Sequence, residues 1–176
     1  MVVKKIKEKL MSKKGASMVE FTMVMLMFLL IFTIGYELVM VGYKYVQVSD
    51  YANDIVRTLA VQGGVDRQVP AGFQGGASAY KNFDKLIAEK NAFAKTVGVS
   101  PSDLTIRVSR ETSNGSVVTS SIEERVPIRI DYLQTFEVTI DYNPSLELSQ
   151  NFGAKLNGVL RRTKLGLSEY LYDYDA

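Results

Sequence analysis

The chain has 176 residues, with 21 Lys and Arg against 19 Asp and Glu, a formal net charge of +2, and neither cysteine nor histidine. That length suits one domain plus an appendage. Disulfides and thiolate metal sites are excluded. The commonest general base and the commonest metal ligand are missing together. The expectation is therefore a protein that is not an enzyme and carries no cofactor and no metal. Charge is unevenly placed, because residues 1–15 hold six lysines and one glutamate, a net of +5, which leaves −3 for the rest. A mildly acidic body lacks the basic face that a nucleic-acid partner requires. The basic tip reads as a flank held on the cytoplasmic side of a membrane.

Residues 1–14, MVVKKIKEKLMSKK, are too polar to insert and too short to fold alone. A start at Met1 and a start at Met11 both leave Met-Ser-Lys-Lys-Gly ahead of the apolar run. Next comes Lys13-Lys14-Gly15-Ala16-Ser17-Met18-Val19-Glu20-Phe21. From Phe21 to Tyr36 there are 16 consecutive residues without formal charge, and only Thr22, Thr33 and Gly35 among them are not large and apolar. From Phe21 to Tyr43 there are 23 residues with one charge, Glu37, against the roughly 20 that a spanning helix needs. A carboxylate at the doorway of such a run, Glu20, is expensive in hydrocarbon unless something partners it.

Past Tyr43 the pattern becomes one-sided. Val48, Tyr51, Ala52, Ile55, Val56 and Leu59 recur at helical spacing, separated by Asp50, Asn53, Asp54 and Arg57. Gly63-Gly64 ends the helix. The reading is one helix over 16–62, greasy all round in its first half and amphipathic in its second, where it enters a soluble domain's core. Residues 63–77, with five glycines and a proline, form a loop without a phosphate-binding register. From Ser78 a second helix carries Tyr80, Phe83, Leu86, Ile87, Phe93, Ala94 and Val97 on one face and stops at Gly98.

The remainder alternates as strands do. Leu104–Arg110 is one strand, Asn114-Gly115 is a hairpin turn, residues 116–126 return, and Ile128–Tyr142 supplies a further run. Residues 152–160 read as a short helix or loop and 162–172 as a last edge strand. Arg161-Arg162 is expected as a solvated pair, and Asp141 with Glu137 as an exposed sheet edge. The fold class is α+β: a long N-terminal helix, membrane stem plus amphipathic half, packed on a small antiparallel sheet of three or four strands.

Gly15-Ala-Ser-Met-Val-Glu20-Phe21 ahead of a greasy helix resembles the processing site of type IV prepilins. Over residues 13–62 the text looks most like the TadE-like pseudopilins of tight-adherence, Flp-type pilus systems. Glu37 and Ala52-Asn53-Asp54-Ile55-Val56-Arg57 stand where that family has a second glutamate and an Ala- and Arg-bearing segment. Leu26 stands where relatives often have proline, so a kink there is not implied. The resemblance implies a leader over 1–15, cleavage after Gly15 by a prepilin peptidase that reads Lys13, Lys14, Gly15 and Ala16, and an extracytoplasmic domain over 63–176. It also implies assembly with other pilin subunits through Glu20 and Phe21. The protein would sit single-pass in the cytoplasmic membrane, N-terminus inside, before joining a pilus or secretion filament.

Two alternatives start from the same residues. An uncleaved signal anchor would leave Glu20 in the headgroup layer. A secretory signal peptide would need a small-residue cleavage site, which Tyr36-Glu37-Leu38 does not offer.

Overall fold

A computed structural model describes residues 13–70, 73, 75–112, 114–143 and 159–169. Helix α1 (Lys13–Gln62) runs 50 residues without a break. It contains no proline, and Met, Leu and Phe are the commonest residues of its first half. The chain divides into two compact units within this helix, between Gly42 and Tyr43.

In the second unit, α1 contributes Val48, Ala52, Ile55, Leu59 and Ala60 to the core, with Tyr51 and Val56 packed against them. These are the positions that helical spacing selects. Gly63 ends the helix in the left-handed region at φ 67°, and Gly64 follows at φ 128°. A Cβ on Gly64 would lie 1.9 Å from the Ile128 carbonyl oxygen, so this turn requires glycine. Strand β1 (Gly64–Val65) pairs antiparallel with β4 (Ile128–Arg129) in a ladder of its own. Helix α2 (Phe83–Thr96) is capped by Asn82, whose side chain accepts from the Lys85 N–H, and buries Phe83, Leu86, Lys90 and Ala94.

The main sheet has order β3-β2-β5-β6, from β2 (Leu104–Glu111), β3 (Val117–Ser121), β5 (Thr135–Tyr142) and β6 (Leu160–Leu167). Every pairing is antiparallel. Asn114-Gly115 makes the β2–β3 turn, with Gly115 at φ 77° and the Thr112 N–H bonded to Ser116 O at 2.8 Å. One face of the sheet supplies Leu104, Ile106, Val108, Phe136, Val138, Ile140 and Tyr142 to the core beside both helices. The other carries Arg107, Ser109, Thr119, Glu137, Thr139, Asp141, Arg161 and Thr163.

Several sequence expectations shift. The run from Ile128 to Tyr142 is two strands, because Leu133 turns the chain at φ 60° and the Gln134 N–H closes onto Asp131 O at 3.0 Å. The last strand starts two residues before Arg162 and ends at Leu167. The expected helix or loop over 152–160 lies outside the described residues as far as 158, as does the stretch from Tyr170 onward.

Gly166 fixes how closely β6 approaches the core. A Cβ there would meet the Phe136 ring at 2.4 Å and Val56 Cγ1 at 2.8 Å, and both neighbours are held by packing. Gly166→Ala is therefore expected to lower stability by about 1–3 kcal/mol through overpacking, read as a drop in the denaturant midpoint at unchanged m-value.

Candidate processing and assembly site

Lys13, Lys14, Gly15 and Ala16 form the first turn of α1, and the helix passes unbroken through the Gly15–Ala16 peptide. Glu20 lies four residues after Ala16, on the same face of the helix, and is exposed. Its carboxylate has no side-chain partner among the described residues. Phe21, beside it, is 65% exposed.

Beyond them the apolar surface goes all round. Phe28, Leu29, Leu30, Ile31, Phe32 and Ile34 are all exposed. The helix is long and apolar enough to cross a membrane, and none of its most apolar stretch is buried within the chain. Its hydroxyls are already satisfied: Thr22 donates to Met18 O at 2.8 Å and Thr33 to Leu29 O at 2.6 Å. That internal bonding is what a helix surrounded by hydrocarbon demands.

The second unit holds polar groups whose partners alternation alone does not identify. Asp141, expected at an exposed edge beside Glu137, lies instead on an inner strand. Its side chain is only 15% exposed, in ion pairs with Arg107 and with Arg161 Nε, the latter at 2.8 Å. Glu137 accepts from Thr139 Oγ1 at 3.1 Å. Arg161 and Arg162 are not the solvated pair expected of them, because adjacent strand residues point to opposite faces. Arg161 joins Asp141, while Arg162 donates to Ser49 Oγ at 3.1 Å and to the Tyr45 hydroxyl at 2.9 Å. Its guanidinium sits 5.3 Å from the Tyr45 ring centroid, within cation–π range. β6 is thus pinned to α1 at both ends, by Arg162 at one and by the Glu169 N–H on Ala60 O (3.0 Å) at the other.

Lys90 is the charged residue that sequence reading missed. It falls on the apolar stripe of α2, between Leu86 and Ala94, and that position was the available signal. Its side chain is 7% exposed and pairs with Glu123 Oε1 at 2.7 Å, and it also donates to Leu104 O at 3.2 Å. Burial by itself would push the Glu123 carboxyl up. Hydrogen bonds from Lys90 and Ser121 outweigh it and hold the group below its ordinary range. Burial, with the nearby carboxylates of Glu89, Glu123 and Asp54, pushes the Tyr51 hydroxyl up. That hydroxyl has no hydrogen-bond partner among the described residues, and its ring stacks on Phe93 at 4.3 Å. Lys90 thus ties α2 to the start of β2, and Tyr51 ties α1 to α2. No group of three acidic, His or Cys side chains among the described residues is placed to hold a metal ion.

Compared with protein-family models, with curated proteins and with solved structures, the chain matches none.

Because the folded state holds Glu123 below its ordinary value of 4.5, the unfolded chain binds the proton more readily. The pair's contribution is complete above that value and is lost as pH falls through the depressed range. The thermal midpoint is expected to fall below pH 4.5, and Glu123→Gln is expected to flatten that fall. Lys90→Met, which strands the Glu123 carboxylate and the Leu104 carbonyl, is expected to cost about 2 kcal/mol at pH 7, below the range for fully buried pairs because Glu123 retains contact with water.

Proposed function

We propose that this chain is a structural subunit of pilin or pseudopilin type, cut after Gly15 by a prepilin peptidase and assembled through α1 into a pilus or secretion filament. The observation that carries the reading is a helix whose most apolar stretch is unburied among the described residues, opened by one exposed carboxylate a few residues after Lys-Lys-Gly. Such a surface is stable in a bilayer, where 20 or so apolar residues suffice to span. It is equally stable when buried against like helices. A subunit must occupy both settings in turn.

Cleavage changes the electrostatics of Glu20. In the uncut chain Lys13, Lys14 and Gly15 precede Ala16 within the same helix, and Glu20 is an interior residue. After the cut it is the fifth residue, close to the first turn, where the free N–H groups and the new ammonium favour a negative charge. Between neighbours, Glu20 of one subunit would neutralise the Ala16 ammonium of the next, so that two groups costly in hydrocarbon satisfy each other. That pairing would also fix the stagger of adjacent helices.

One observation favours a second reading, an uncleaved signal anchor: the Gly15–Ala16 peptide is helical, and a peptidase must open that turn to reach it. Glycine lowers the cost of opening by about 1 kcal/mol relative to alanine.

N-terminal sequencing and intact mass of the protein from its native membrane or surface fraction separate the two. A chain beginning at Ala16 is expected, and a chain that retains residues 13–15 would leave only the anchor. Glu20→Ala is expected to leave membrane insertion intact while abolishing assembly, since removing one member of a buried pair costs about 3–5 kcal/mol at every contact. Assembly at the unmodified level would reduce Glu20 to a headgroup-layer residue.

A further inference from the structure

The outer face of the main sheet is polar on its two inner strands. Its large apolar residues lie on the edge strands: Val117 on β3, 70% exposed, and Leu165 and Leu167 on β6, 77% and 44% exposed. Among the described residues β3 pairs only with β2, and β6 only with β5. The place beside β6 is open among those residues. A groove of about 400 Å³ runs there, floored by Val56, Ala60 and Val61 of α1 and walled by Leu165, Gly166 and Leu167.

We infer that this place is filled by β3 of a second copy of the chain, adding its strand to the free edge of β6 in a head-to-tail repeat. The inference rests on the reading of the chain as a self-assembling subunit and names the contact between globular units.

Three features of the sheet carry it. The first is strand direction. Four strands all paired antiparallel leave the two edges running in opposite senses, so β6 followed by the next copy's β3 continues the antiparallel ladder without a break.

The second is side-chain fit. Within one copy, Leu167 pairs with Thr135 and Glu111 with Val117 at the same level of the sheet, while Gly166 pairs with Phe136, Phe136 with Arg110 and Arg110 with Val118. Carrying those rows into the next copy sets its Val117 opposite Leu167, an apolar cross-strand pair. It sets its Val118, 40% exposed in the single chain, opposite Gly166. There the groove beside Gly166 is lined by Val56 and Ala60.

The third is charge. β6 carries Arg161, Arg162 and Lys164 and no acid. Running antiparallel, the incoming β3 directs the segment that follows it, which carries the exposed Glu124, toward the Arg161 end of β6. Edge-strand cations ordinarily discourage pairing, and here the incoming segment brings an acid toward them. Because the two contacting surfaces differ, each added copy leaves a free edge for the next, and sheet twist rotates it on the one before.

The chain has no cysteine, so introduced thiols report this contact without background. Val117→Cys and Leu167→Cys are each exposed, and within one chain they are separated by three strand spacings of about 4.8 Å, too far for a disulfide. Full-length protein carrying both, oxidised in the membrane or filament fraction, is expected to give a ladder of dimers, trimers and higher species. Co-expressed single variants are expected to stop at dimers, and each single variant alone to give none. Dimers from Leu167→Cys alone would mean β6-to-β6 pairing and would overturn the proposal. So would the absence of any cross-link, as when residues 170–176 of the same chain cover the edge. N-terminal sequencing of the same material keeps the readings apart. Cleavage after Gly15 with filaments but no ladder ends the edge contact alone, and a ladder from uncut chains ends the processing reading alone.

Discussion

The close approach of β6 to the amphipathic half of α1 is the contact on which the globular unit depends. At Gly166 the backbone of the strand lies against Val56 and the Phe136 ring with no space for even a methyl group. Around that point the helix delivers Val48, Ala52, Ile55 and Leu59 into one core with both β2 and β5. Arg162 on Tyr45 and Ser49, and Glu169 on Ala60, close the seam at its two ends. Interiors at crystal-like density respond sharply to a single added carbon, so the position of the strand on the helix is narrowly set.

Among the described residues the same helix buries no side chain between Ser17 and Gly42. Its first half keeps large apolar side chains exposed from Met18 to Met40 and bonds its own threonines to its own carbonyls. One continuous element therefore presents two kinds of surface. In the second unit it is a core helix with a wet face, and in the first it presents a surface that water does not favour on any side. A carboxylate at the start of that surface is the feature least compatible with a plain anchor, and the reading of the chain as an assembling subunit grows out of it.

Much of this was legible from residue order. The positions on α1 that face the core are those picked out by a 3.6-residue period, because a helix buried on one side leaves no other pattern. Asn114-Gly115 marked its hairpin, since the turn imposes a left-handed backbone at Gly115, which glycine accepts without strain. The expected α+β class, with a long apolar helix leading into an antiparallel sheet, is what the structure has. Less legible was the division of 128–142, where alternation continues through Tyr132 although Leu133 reverses the chain. Alternation describes which face a residue takes and is silent on which strand it pairs with. Lys90 was passed over for a related reason: periodicity scores it as an interruption, whereas Glu123, 33 residues away in sequence, makes its burial tolerable.

By itself the sequence determined the local and one-dimensional properties: a helix apolar all round and then one-sided, a lysine-flanked glycine ahead of a lone carboxylate, and strands with one dry face. These arise from side-chain chemistry repeated at the backbone's own periods. Only the tertiary structure decided that Asp141 lies between two arginines, that adjacent Arg161 and Arg162 serve opposite faces, and that β3 and β6 are the outer strands of the sheet among the described residues. Strand order and register arise from contacts distant in sequence, and those are chosen by packing against α1 and α2, which no local pattern encodes.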